Sequence, residues 1–141
     1  MSARAEAGHR CVPHTADVRI EAWAPTREGC VAEAVAALVD SFADLSGATP
    51  VGDAAFHVGP GEDGDLLVGV LDEVIYRMDV EGRLPVRADV TAVTDGFDIR
   101  LEMTDTDRAE PVGAVPKAVA LHELRFGREA DGWTCGVTLD V

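Results

Sequence analysis

Hydrophobic and polar positions change period several times along the chain, and each change marks an element. From Asp17 to Trp23 they alternate. Val18, Ile20 and Ala22 share one face, and Asp17, Arg19, Glu21 and Trp23 share the other, which predicts a half-buried strand. The period then lengthens. Val31, Ala34, Val35, Leu38, Val39 and Phe42 recur at three- and four-residue steps behind Thr26 as N-cap, with Glu28 at the positive end of the helix dipole. This predicts a first helix, weakened at Gly29 and ended by Ser46-Gly47. Ala54–Val58 reads as a short strand and 59–64 as an acidic turn. Asp65 is placed to cap a second helix, whose stripe is Leu66, Leu67, Val70, Leu71, Val74, Ile75 and Met78 and whose stop is Gly82. Leu84–Thr94 and Phe97–Thr104 form a hairpin about Asp95-Gly96, a two-residue turn signal. After a polar loop, 105–116, a second hairpin joins Lys117–Glu129 to Trp133–Val141. In its last arm Trp133, Cys135, Val137, Leu139 and Val141 face one way, and Thr134, Gly136, Thr138 and Asp140 the other.

Six strands joined mostly by hairpins, with two amphipathic helices, predict an α+β fold. The expected architecture is a mostly antiparallel sheet of about six strands with both helices packed on it. It forms a single domain over residues 1–141, with residues 1–10 a loose lead-in. A doubly wound parallel sheet is disfavoured, because strands and helices do not alternate through the C-terminal half. A chain of 141 residues buries about two-thirds of its unfolded surface, enough for a core without staples.

Charge narrows the function. Twelve basic residues face 26 acidic ones, a formal charge of −14, so strong direct binding to nucleic acid is not expected, because a phosphate backbone demands Lys and Arg. An acidic balance suits a cation, a basic protein partner or solubility alone. Lys117 is the sole lysine. Three cysteines, Cys11, Cys30 and Cys135, lack any C-x-x-C spacing and read as core thiols in a reducing compartment. Cys30 falls near a helix start, where a thiolate is favoured, but it adjoins the apolar stripe and reads as core. No signal-peptide h-region and no apolar run long enough for a bilayer are visible, so a cytoplasmic protein without membrane attachment is expected.

Most acids need no function, since they lie in loops or on the wet side of a helix. Asp17 and Asp140 differ. One opens the first predicted strand and the other closes the last, each opposite its strand's apolar stripe. If those strands pair antiparallel, both carboxylates project from one face, and like charges held together want a proton or a cation. If Val141 is the native end, its main-chain carboxylate can turn to the same place. Oxygen-only donors suit Ca²⁺ or Mg²⁺, with Mn²⁺ a further alternative, rather than zinc. The bland alternative is two ordinary strand-end acids on a wet face. His14 and His122 are candidate ligands or hydrogen-bond partners, against the plainer reading of structural histidines. No phosphate loop, G-x-S-x-G or H-E-x-x-H occurs, so an enzyme has little support and no catalytic residue is assigned.

Four segments carry a resemblance. His14-Thr15-Ala16-Asp17-Val18 resembles the HTAD signature of the archease family, and the stretch from Leu66-Leu67 through Asp72-Glu73 and Tyr76 to Asp79 is similar to that family's second helix. The run Lys117-Ala-Val-Ala-Leu-His122 resembles its late K-A-(V/I)-T-Y-H strand, and Val137-Thr-Leu-Asp140-Val141 its terminal strand. The segments stand in family order and span nearly the whole chain. The resemblance implies a protein cofactor of an RtcB-type RNA ligase, one that promotes ligase guanylylation and multiple turnover in tRNA splicing and RNA repair. It further implies a metal site, usually described with calcium, on Asp17, Asp140 and Val141, and a functional surface that includes Lys117. Two departures stand out: Ala120-Leu121 replaces the family's T-Y, and Val18-Arg19 replaces a common Ile-Gly. The rival readings are a metal-dependent phosphoester hydrolase on the same carboxylates and a chaperone-like interaction module.

Overall fold

The structure, a computed structural model, describes residues 6–13 and 17–141. Two helices and nine strands are present among them. Strands β1 (Gly8–Pro13), β2 (Asp17–Ala24), β8 (Ala118–Glu129) and β9 (Gly132–Asp140) form an antiparallel sheet in the order β1-β2-β9-β8. Strands β4 (Gly52–Val58), β5 (Arg83–Val93) and β6 (Gly96–Asp105) form a second antiparallel sheet in the order β4-β6-β5. A two-residue ribbon pairs β3 (Ala43–Asp44) with β7 (Glu110–Pro111).

The antiparallel α+β reading therefore holds, with the strands divided among separate sheets. Helix α1 (Arg27–Asp40) lies against β2 of one sheet and β5 of the other, and α2 (Asp63–Glu81) against β8 and β5. This shared position explains how much of each helix is apolar. The buried residues of α1, from Cys30 to Val39, cover an arc of about 200° at 100° per residue, wider than one sheet alone requires. The stripe of α2, Leu66 to Met78, covers about 180°. Between them sit Ile20, Val137 and Leu139 from the first sheet and Phe97, Ile99, Leu101 and Met103 from the second, all buried. The last four are the apolar face predicted for that arm.

Several boundaries differ from expectation. Residues 8–10 belong to an edge strand rather than a loose lead-in, held by pairing with β2 and by His9, whose ring reaches Glu33 and Asp40 on α1. Helix α1 does begin at Thr26, whose hydroxyl accepts from the Gly29 N–H at 3.0 Å. It stops at Ser41, well before Ser46-Gly47, because the chain turns there to form the β3–β7 ribbon. Phe42 stays buried beyond the helix end, and its carbonyl accepts from the Val112 N–H. Helix α2 starts two residues before Asp65, after Glu62. Its stop is as expected: Gly82 has φ of 65°, a left-handed conformation natural to glycine. The loop 105–116 contains a single 3-10 turn (Thr106–Arg108) and β7. At the Asp95-Gly96 turn a Cβ on Gly96 would lie 2.0 Å from the Val58 carbonyl oxygen, so no other residue fits where β4 ends against the hairpin.

Candidate metal-binding tip

The tip is built by strand register. Strands β2 and β9 pair antiparallel with the Cα of Asp17 opposite that of Asp140, and the pairing continues residue for residue to Ala24 opposite Trp133. Side chains directly opposed in an antiparallel pair share a face, with Cβ atoms about 5 Å apart. The two carboxylates are thus cross-strand neighbours of like charge at the open end of the ladder. Neither is in an ion pair with an arginine or lysine among the described residues. Asp140 is exposed, while Asp17 and Val141 are half-buried.

Strand β8 completes the rim. Ala118 pairs with Asp140 on its other side, and the Lys117 N–H donates to the Asp140 carbonyl at 2.7 Å. Lys117 is therefore held next to the paired acids, with its side chain exposed. His122 is not brought there. It stands four residues further along β8, about 13 Å of extended chain, in a stretch where the β8–β9 register shifts between Ala120 and Arg125. Glu123 in that bulge has φ of 59°. Of the pair replacing the family's T-Y, Ala120 is buried, whereas Leu121 stands 68% exposed on the bulge. His14, with Thr15 and Ala16, lies outside the described residues.

Sequence reasoning missed the role of Arg19. The polar face of β9 reads as wet, yet Thr138 is 3% exposed and Gly136 is buried. The Arg19 side chain lies across both: its Nη1 donates to Thr138 Oγ1 at 3.0 Å, and a Cβ on Gly136 would lie 2.3 Å from its Nη2. Register puts Arg19 two pairs inward of Asp17, directly opposite Thr138, and nothing in the local pattern of either strand signals that its side chain covers the polar face there. Cys30 is fully buried. Its hydrogen bond with the Cys135 thiol and its burial both push its pKa up, so the thiolate expected of some helix starts is disfavoured here.

The donor set available at the tip is two carboxylates and main-chain oxygen. No group of three His, Cys, Asp or Glu side chains converges anywhere among the described residues, so a site made wholly of side chains is not offered. Two unneutralised carboxylates opposed across a ladder fit a hard divalent cation that completes its shell with carbonyl oxygen and water. A zinc site would call for nitrogen or sulfur donors that the described residues do not bring there.

Comparison with known proteins agrees with this architecture. Residues 9–141 match the family model described as the archease protein family (MTH1598/TM1083). The chain is 52% identical over 134 residues to a probable protein archease of Mycobacterium tuberculosis, covering 95% of this chain and 75% of that protein. It is 29% identical over 136 residues to a protein archease of Methanopyrus kandleri, covering 92% of this chain and 96% of the relative. Among solved structures, protein 1598 of Methanobacterium thermoautotrophicum superposes with a TM-score of 0.75 at 19% identity, covering 95% of this chain and 99% of that one. A Thermotoga maritima archease, described as a possible chaperone, gives 0.66 at 20% identity, covering 92% and 94%. At such identities the structural likeness speaks for the fold alone.

Proposed function

The chain belongs to the archease family, and from that premise we propose that it is a non-catalytic protein cofactor that activates an RtcB-type RNA ligase through the Asp17–Asp140 tip. The observation that carries the reading is the register pairing Asp17 with Asp140, with Lys117 fastened beside them. Asp17, Asp140 and main-chain oxygen at 140–141 would hold a divalent ion, Ca²⁺ first. Bound there, such an ion supplies charge neutralisation for phosphate groups. The chain's own contribution is positional. The β2–β9 ladder fixes both carboxylates at one end of a sheet, and Lys117, whose main chain is bonded to the Asp140 carbonyl, carries an exposed side chain from that same end that can meet an anionic phosphate in the ligase pocket. A tip of this kind, presented by a protein of charge −14, suits a basic RNA-handling partner.

The test combines the chain with the RtcB-type ligase of the same genome, GTP and Mn²⁺, and follows ligase guanylylation. Asp17→Asn and Asp140→Asn should each cut the stimulated rate at least ~10-fold, on the scale of one lost charge-assisted contact. Stimulation undiminished by either substitution would overturn the assignment of the tip. The hydrolase rival requires that the purified chain alone turn over a phosphoester, which the activator does not do. The chaperone-like rival predicts that substituting either aspartate leaves the interaction untouched.

A further inference from the structure

Beside the tip lies a groove that the metal reading does not use. It has a volume of about 1050 Å³ and runs between α2, the β3–β7 ribbon and the segment leading into β8. Ile75, Met78 and Leu84 form an apolar floor, Val115 and Pro116 a rim, and Lys117 closes the end nearest Asp140. On α2, Asp72, Tyr76 and Asp79 line the same groove. Their spacing of four and then three residues puts them on one helical stripe, flanking the face buried in the core. The Tyr76 ring is 56% exposed, and so is Val115. Asp72, Asp79 and Asp107, also on the lining, have no ion-pair partner among the described residues, although their neighbours Glu73 and Glu81 pair with Arg77. Partial burial pushes the Asp72 carboxyl above the usual carboxylate range.

These features select an occupant. Three unpaired carboxylates repel a phosphate or an acidic peptide. A wholly apolar ligand would bury them without compensation. Asp72 and Asp79 are about 10 Å apart along the helix axis, too far to share one metal ion. What fits is a cation on a flexible stem with apolar neighbours. Arginine fits better than lysine, because a planar guanidinium can stack on an aromatic face while it bonds carboxylates. We propose that this groove docks a segment of the protein partner in which an arginine is flanked by apolar side chains, its guanidinium seated over Tyr76 between Asp72 and Asp79. The partner's identity rests on the activator reading, whereas the class of segment does not. Docking here also sets the partner beside Lys117, at the edge of the tip, so the groove supplies affinity next to the place where the tip acts.

Two measurements test this separately. In the first, the chain is titrated into the ligase and the concentration giving half-maximal guanylylation is read. Asp72→Asn/Asp79→Asn should raise it about tenfold or more and Tyr76→Ala severalfold, while Tyr76→Phe, which keeps the ring, stays within about twofold of wild type. Asp17→Asn should instead lower the plateau. In the second, a short amphipathic peptide of Arg and Leu is titrated into the chain alone and followed by amide chemical shifts. The shifts should fall on 72–79 and 106–118 and disappear in the double variant, whose melting curve verifies that it is folded. A half-maximal concentration unchanged in the folded double variant, or peptide shifts located elsewhere, overturns the groove assignment and leaves the activator reading standing. Peptide binding at the groove by a chain that never stimulates the ligase does the reverse.

Discussion

At the residue scale, what decides an outcome is whether a polar atom has a partner. Thr104 on β6 is completely buried, and its hydroxyl has no hydrogen-bond partner among the described residues. An unpaired buried hydroxyl costs about 1–3 kcal/mol, which an isosteric methyl does not incur. Thr104→Val should therefore raise stability by about 1 kcal/mol, seen as a melting temperature about 3 °C higher by calorimetry. A lower melting temperature would mean that the hydroxyl is satisfied in solution. The same scale shows why part of the tip was legible in the sequence. Asp17 and Asp140 could be matched because each stands at a strand end, on the polar side of a clean two-residue alternation. The same register sets Arg19 opposite Thr138, but the burial it causes was not legible, because Gly136 and Thr138 stand on the polar side of their strand and a periodic pattern does not show which long side chain lies over them.

Elements with a strong period were found, although α1 ends before its expected stop, and those stabilised by partners outside themselves were not. Helix α2 and the β5–β6 hairpin carry their own signals, an apolar stripe in one and an Asp-Gly turn in the other. Strand β1 has little alternation, and β3 and β7 are two residues each; all three exist because something else holds them. For β1 that holder is His9. Its Nδ1 donates to Glu33 at 2.9 Å and its Nε2 to Asp40 at 2.6 Å. Ionised carboxylates only accept, so the two contacts are both satisfied when both ring nitrogens carry protons, and this arrangement favours the imidazolium form. Burial alone would lower its pKa, but the hydrogen bonds and charges of Glu33 and Asp40 outweigh it, and the pKa is raised. A raised pKa in the folded state gives stability that is fully present below the unfolded value of about 6.5 and lost as pH rises through the folded value. The melting-temperature advantage of wild type over His9→Gln should thus be largest near pH 6 and shrink steadily above about pH 7. Hydrogen exchange should show the loss first in β1. An advantage that grew with pH would exclude the imidazolium anchor.

For the molecule as a whole, a charge of −14 makes monovalent and divalent ions act differently. Like charges spread over the surface repel one another, and added salt screens them within a Debye length of about 8 Å near 0.15 M. Sodium chloride should therefore raise the melting temperature of the free chain and, by screening the attraction to a basic partner, weaken its association with the ligase. A general screening effect of calcium would do the same at equal ionic strength. A bound ion does more, because it adds RT ln(1 + [L]/Kd), about 2.7 kcal/mol at a hundred times Kd. The informative quantity is the extra stabilisation by CaCl₂ over NaCl at matched ionic strength. It should be present in wild type and absent in Asp17→Asn and Asp140→Asn. Each of those variants also removes one of two directly opposed like charges, so in NaCl alone it should melt no lower than wild type. The two signs together separate a cation trapped between strand ends from a merely acidic surface. A mutant that kept the calcium increment would place the ion elsewhere on the chain, and a wild type without one would leave the tip two repelling carboxylates and nothing more.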